Sequence, residues 1–440
     1  MSRLCAAAPF VAILVLAGCG DQTLPDAPHY DVTEKTPDDR NGTTQEGDAV
    51  SVVNDTTTPV DVGAAVRDAN AFAFDLYQRI RTGDGNIIFS PYSISTALAM
   101  TYAGARGETE SQMAKTLHFA LVQRRLHAAM SKMMGDLNAR ARTGVCDLVV
   151  ANRLWGQTGQ RFLPWFLTLT EKRYGAGMEL VDFERDTERA RQDINAWVER
   201  QTRKRIRNLL ARGVLTPATR LVLTNAIYFK GAWSRPFLKR LTLEEPFRVT
   251  SSSTVRARMM RQTARFGYAE SRGMQVLEMP YEGDNLAMVV VLPRAVGGLR
   301  KLEGSISAAR LASWVSGLRA QKVEVILPRF TATRDLDLST TLAAMGMPDA
   351  FDPNEADFSG MDGTGELYIS KVIHKAFVEV NEEGTEAAAA TAVVVAPTGL
   401  PPRHQKRPPV FRADRPFLYL IRDVNSGAIL FIGRVTDPTA

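Results

Sequence analysis

Apolar residues four apart open the folded part of the chain. Phe72, Leu76 and Ile80, with Ala69 and Ala73 beside them, predict an amphipathic helix. After the stretch NIIFSP a second helix is predicted, capped by Ser90 or Ser93 and turning Ala97, Met100 and Ala103 inward. Gly104 and Gly107 interrupt it, and another helix follows from Glu108. Residues 147–155, DLVVANRLW, have strand character, whereas 184–210 read as one long helix with Ile194, Trp197 and Val198 inward. Leu221 to Phe229 is apolar at nearly every position, which predicts a strand buried on both faces. QVLEMPYEGDNLAMVVVLP predicts a hairpin turning at Glu282–Asn285, where Gly283 permits the turn. KVEVILPRF alternates in steps of two, and LYISKVIHKAFVEVN predicts a long strand. The hairpin PFLYLIRDVNSGAILFIGRV, turning at Asn425–Gly427, closes the chain. Helices and strands mix without a regular βαβ alternation, so the expected class is α+β, in one large domain without internal repeats.

One segment fits neither period. Glu382 to Leu400 reads EEGTEAAAATAVVVAPTGL. Its alanines favour helix and its valines favour strand. No proline interrupts it between Gly384 and Ala396. Such a segment can be exposed in one state and a buried strand in another. As a strand it would present Thr385, Ala387, Ala389, Thr391, Val393 and Val395 on one uncharged face. Glu386, Ala388, Ala390, Ala392, Val394 and Ala396 would lie on the other, so a slip of one residue would bury Glu386.

The N-terminus changes the picture of where the chain resides. Arg3 precedes a short apolar run from Ala6 to Gly18, the shape of an export signal and too short to span a bilayer. Leu16, Ala17, Gly18 and Cys19 resemble a bacterial lipobox. That resemblance implies cleavage before Cys19, lipidation of this residue, and display on a bacterial envelope, at the outer membrane or cell surface. The expected division is signal 1–18, tether 19–62 and folded domain 63–440. Residues 20–62 carry ten acidic and two basic residues, a net −8, with almost no aromatic residue, and cannot fold alone. Removing this −8 and the +1 of Arg3 from the chain's +6 leaves about +13 on the remainder. The densest basic run, RQTRKRIRNLLAR from Arg200 to Arg212, is expected on a helix with Ile206, Leu209 and Leu210 on one side. A solvated face is the plainer reading, and an anionic ligand the alternative. No aromatic residues interleave there, so nucleic acid is not expected. Of three cysteines, Cys5 leaves with the signal and Cys19 carries lipid, so Cys146 stands alone as a buried, inert thiol.

Enzyme signatures are missing. There is no G-x-S-x-G elbow, no H-E-x-x-H, no spaced cysteine pair and no Gly-Lys dipeptide. The histidines His29, His118, His127, His374 and His404 are scattered. No catalysis, metal or cofactor is expected.

Four stretches together resemble the serpin family. They are NIIFSPYSISTALAMTYAGARGETESQM, LTNAIYFKGAWSRPF, VIHKAFVEVNEEGTEAAAAT and FRADRPFLYLIRDVNSGAILFIGRVTDP, in the family's order between about Ala65 and Pro438. The resemblance implies the serpin fold, with three β-sheets, about nine helices and an exposed reactive-centre loop. It implies an inhibitor that a serine protease cleaves as a suicide substrate, the cut loop inserting into the central sheet. Serpin loop insertion is itself the established example of such strand addition. The hinge maps to Glu382, Glu383, Gly384, Thr385, Glu386, Ala387, Ala388, Ala389, Ala390 and Thr391, and its small side chains are the permissive set of inhibitory members. Ser90, Ser93, Asn225 and His374 match the shutter that controls sheet opening, and Trp233 matches the breach where insertion begins. Counting from Gly384 puts the reactive bond at Thr398–Gly399, with Leu400 the alternative reactive residue. Thr398 suits elastase-like or subtilisin-like proteases, and Leu400 suits chymotrypsin-like or subtilisin-like ones. The following PPRHQKRPPV is longer than in familiar inhibitors and offers Arg403, Lys406 and Arg407 to trypsin-like enzymes. Insertion of Thr385–Thr398 would span roughly 46 Å at about 3.3 Å per residue. A monomer is expected. A non-inhibitory binding module on the serpin fold is the alternative function.

Overall fold

The computed structural model describes residues 57–141, 146–385 and 407–440. Its helices are α1 (Pro59–Ile80), α2 (Pro91–Tyr102), α3 (Gly107–Thr116), α4 (Gln123–Ala141), α5 (Pro164–Tyr174), α6 (Thr187–Gln201), α7 (Leu299–Glu303), α8 (Ala308–Ser316), α9 (Ser339–Met345) and α10 (Ser359–Asp362). Its strands are β1 (Ile87–Phe89), β2 (Cys146–Gln157), β3 (Met178–Val181), β4 (Leu221–Ala232), β5 (Leu243–Arg248), β6 (Thr254–Glu270), β7 (Met274–Pro280), β8 (Leu286–Pro293), β9 (Arg319–Pro328), β10 (Phe330–Asp337), β11 (Ile369–Val380), β12 (Gly384–Thr385), β13 (Val410–Arg412), β14 (Phe417–Asp423) and β15 (Ile429–Val435).

One sheet runs β10-β11-β12-β4-β2-β3. In it β4 pairs antiparallel with β2 and parallel with β11, from Leu221↔Ile369 to Tyr228↔Phe377. The second runs β1-β15-β14-β8-β7-β6-β9-β13, with β5 on β6. The expected second and third sheets share β6: its first half pairs β5 and its last residues pair β7, with β9 between. Strand β4 is buried on both faces because two apolar clusters sandwich it. Leu223, Ile227 and Phe229 join the main core, while Val222, Ala226 and Tyr228 meet Ile194 and Val198 of α6.

Two sequence expectations are corrected, and one open alternative is resolved. The chain becomes helical at Pro59, four residues inside the segment assigned to the tether. Thr58 caps α1 by accepting from the Asp61 amide, and the Asp61 carboxylate bonds back to Thr58. The long helix of 184–210 ends at Gln201. Thr202 bonds back to the Val198 carbonyl and accepts from the Ile206 amide, while Arg203, Lys204 and Asn208 take left-handed backbone (φ 49°, 64° and 51°). From Thr202 onward the basic run therefore lies on irregular chain, and Ile206, Leu209 and Leu210 are buried against α6, not aligned along a continuing helix. Between the two candidate caps, Ser90 is the one whose hydroxyl accepts from the Ser93 amide at the start of α2.

Candidate functional site

Where β11 ends, the chain reverses at once. The Asn381 side chain accepts from the amides of Glu383 (3.0 Å) and Gly384 (3.3 Å), and the Asn381 amide donates to the Gly384 carbonyl at 2.8 Å. This turn inserts Gly384 and Thr385 between β11 and β4, antiparallel to both: Val380↔Thr385 on one side, Gly231↔Thr385 and Ala232↔Gly384 on the other. Gly384 passes so near β4 that a Cβ would stand 2.0 Å from the Gly231 carbonyl oxygen, which only glycine avoids. Thr385 is fully buried and shares a 2.7 Å hydrogen bond with the Tyr281 hydroxyl. The Tyr281 ring stacks on Trp233 at 4.6 Å, and the Trp233 indole donates to the Asn381 carbonyl at 3.0 Å. Glu382, buried, accepts from Thr242 at 2.7 Å, and Lys239 pairs with Glu383. Thus β12 enters between β11 and β4 at the end beside Trp233, while below it those two strands are zipped together.

Halfway along that zipped seam lies a buried polar row. His374, Asn225 and Asn152 stand side by side on β11, β4 and β2. Ser90 and Ser93 reach them from the start of α2. The Ser90 amide donates to His374 Nε2 at 3.1 Å, so the proton sits on Nδ1, which hydrogen-bonds to Asn225 Oδ1. Asn225 in turn donates to Ser93 Oγ at 2.7 Å, and Ser93 to Asn152 Oδ1 at 3.0 Å. Every donor has one acceptor only if the imidazole is neutral. Burial pushes its pKa down to about 3.

The structure therefore brings Ser90, Ser93, Asn225 and His374 into one cluster and sets Trp233 against Asn381, Glu383 and, through Tyr281, Thr385. Asn152 and Tyr281 are the members sequence reasoning missed. Asn152 carried a signal, being a polar residue inside the strand pattern DLVVANRLW, which demands a buried partner. Cys19, Glu386, Ala387, Ala388, Ala389, Ala390, Thr391, Thr398, Gly399 and Leu400 lie outside the described residues. Burial pushes the Cys146 thiol up to about 12, which makes it unreactive. Among the described residues no cluster of ligands could hold a metal, and no helix is long and apolar enough to cross a membrane.

These features place the short strand β12 between β11 and β4, above the point where those two strands pair directly. A sequence profile of serpins, described as serine protease inhibitors, matches residues 67–438. Human leukocyte elastase inhibitor is 43% identical over 377 residues, covering 83% of this chain and 97% of that one. Among solved structures, human thyroxine-binding globulin complexed with its hormone superposes with a TM-score of 0.78 at 31% identity, covering 86% of this chain and all of that one. Uncleaved ovalbumin gives 0.76 at 31% identity, with 85% and 100% covered. The chain belongs to the serpin family. It is an inhibitor of serine proteases acting by loop cleavage and insertion, not an enzyme.

The neutral imidazole sets a pH dependence. His127, paired through Nδ1 with Tyr174, is likewise pushed down to about 3 by burial, with Arg173 and Arg106 adding to it. Both histidines titrate near 6.5 when unfolded. Above that value their contribution to stability is complete. As pH falls from 6.5 towards 3 the unfolded chain gains protons the native one refuses, at about 1.4 kcal/mol per pH unit for each group. The denaturant midpoint should therefore fall measurably between pH 7 and pH 5, and a flat profile would contradict this.

Proposed function

We propose that this serpin is a lipid-anchored inhibitor on a bacterial envelope, with Thr398–Gly399 as its reactive bond and an elastase-like or subtilisin-like protease as its target. The observation that carries the loop assignment is the register at Thr385. Continued along β4, each step back from Gly231 matches one step forward from Thr385, so Leu221, ten back, is reached by Val395. The zipped seam from Tyr228 to Leu221 would thus lie opposite Ala388–Val395, wholly within the proline-free run. On this reading Glu382–Thr391 is the hinge, Ser90, Ser93, Asn225 and His374 the shutter, and Trp233 the breach. The human relative's name points to an elastase, and Thr398 suits a pocket of small or medium size. Leu400 is the alternative, which would suit a chymotrypsin-like enzyme. The anchor rests on Leu16-Ala17-Gly18-Cys19, followed by the acidic tether, with the domain from Pro59 onward held off the membrane as a monomer. For an anionic ligand at Arg200–Arg212 the geometry offers little, because Arg203 pairs with Asp147 and Arg207 with Glu199.

Incubation with elastase-, subtilisin-, chymotrypsin- and trypsin-like proteases should give an SDS-resistant complex with at least one. Mass spectrometry should then find a released peptide beginning at Gly399. A peptide beginning at His404, Arg407 or Pro408 would move the cut into the basic stretch and overturn the bond assignment. If every protease cuts the loop and leaves active, inhibition itself fails. Palmitate labelling lost in Cys19→Ala checks the anchor.

A further inference from the structure

A cleft of about 640 Å³ opens where α1 ends, beside α7 and the turn that joins β5 to β6. That volume lies in the range of small-molecule sites. Val249, Val296, Leu299 and Pro416 give it apolar walls. Its most buried charged members are Glu303 and Arg434, whose side chains are 1% and 4% exposed and pair at 2.9 Å. Arg434 also donates to the carbonyls of Arg81, Gly83 and Gly85, so the chain leaving α1 wraps the guanidinium. Gly83, at φ 94°, permits that turn. This side of the cleft is therefore built before any ligand arrives, which lowers the ordering cost of binding.

Two groups on the cleft remain unanswered. The Tyr77 hydroxyl donates to Glu303 Oε1 at 2.6 Å, the same oxygen that Arg434 uses. Glu303 Oε2 takes no hydrogen bond among the described residues, although the residue is almost wholly buried. A carboxylate oxygen in that position calls for a donor. The second group is a cation. Three cations and two carboxylates line the cleft. Glu303 answers Arg434, and Asp84 answers Arg300 at 2.6 Å. Arg81 forms no ion pair among the described residues. Its Nε donates to Gln78 Oε1 at 2.6 Å, which leaves its two terminal nitrogens to donate elsewhere.

We propose that this cleft binds a small organic anion, a hydroxylated carboxylate. Its carboxylate pairs with Arg81, its hydroxyl donates to Glu303 Oε2, and its apolar body covers Val249, Val296 and Leu299. A bare inorganic anion would leave the apolar walls and Oε2 without partners, and a cationic ligand would meet the excess positive charge. The site stands apart from the inhibitory mechanism, since none of these residues belongs to the hinge, the seam or the buried polar row.

The test titrates 6-hydroxy-2-naphthoate into the full chain by calorimetry, and saturable one-to-one binding is expected. Heat that fails to saturate up to about 1 mM ligand would overturn the proposal. On the unaltered protein 2-naphthoate, which lacks the hydroxyl, should bind about tenfold more weakly, and so should 2-naphthol, which lacks the carboxylate. Equal affinity of either analogue would remove Glu303 or Arg81 from the site and overturn the assignment. Arg81→Met should weaken both naphthoates about tenfold and leave 2-naphthol unchanged. Val296→Trp, which fills the cleft without changing its charge, should abolish binding of all three ligands. Both substitutions fall at half-buried positions, so each variant should still melt cooperatively near the parent. Naphthoate binding that persists unchanged in either variant would place the ligand elsewhere and overturn the proposal.

Discussion

Replacing Thr385 by arginine is expected to turn the inhibitor into a substrate. Thr385 is fully buried between β11 and β4 with its hydroxyl on Tyr281, and the loop can enter the sheet only by passing through this position. A guanidinium there must be buried without a partner or else hold the hinge out. Charge burial of this kind costs at least about 3 kcal/mol, which slows insertion about 100-fold. The cut loop then loses the race against hydrolysis of the acyl-enzyme. Stopped assays should show loop cleavage at an undiminished rate, no SDS-resistant complex, and protease activity fully recovered. Circular dichroism should match the parent, because the substitution acts at the mouth of the sheet and not in its core. Retained inhibition would remove Thr385 from the mechanism. Thr385→Ser, which keeps the hydroxyl, should inhibit as the parent does.

The second large effect follows cleavage itself. The intact sheet holds β11 and β4 in a parallel ladder, whose slanted bonds are the weaker kind. A strand entering in the sense already set by Gly384 and Thr385 is antiparallel to both neighbours. Insertion thus exchanges one parallel ladder for two antiparallel ones and buries Ala387, Ala389, Val393 and Val395 on the core face. The nicked protein should melt well above the intact one. A gain of about 10 kcal/mol would raise the midpoint by roughly 13 °C. Residues 386–395 should become protected from amide exchange. A nicked form that melts with the intact one, its loop amides still exchanging, would refute the stored-energy account.

How far the sequence revealed this depended on whether a residue's partners are local. Seven apolar residues among the nine of Leu221–Phe229 announced a strand covered on both faces, because burial writes itself into composition. The turn at Glu282–Asn285 was legible through Gly283, and both Gly283 and Asp284 have positive φ. The helix after 184 was overrun because Ile206, Leu209 and Leu210 keep helical spacing while actually packing back on α6. What stops the helix is a single hydroxyl, Thr202, and a side-chain clasp from Asn195 to Leu210. Ser90, Ser93, Asn225 and His374 could be named only through resemblance. Their meeting is made by strand order, which no local pattern encodes. Asn152 and Tyr281 were hidden for the same reason, although a lone Asn in an apolar strand was a visible clue.

The pairing at Thr385 reaches further than the hinge. Asn225 lies six residues before Gly231 on β4, and His374 six before Val380 on β11. Both counts therefore meet at the sixth residue after Thr385, which is Thr391. When the strand goes in, it wedges apart the imidazole and the carboxamide that had bonded to each other. The residue arriving in the gap is the only hydroxyl of the stretch 386–396, on the face both groups use. The key thus carries its own replacement for the lock it breaks: one side chain able to accept from the histidine and donate to the amide. The crystal structure of the cleaved protein should show Thr391 in that place.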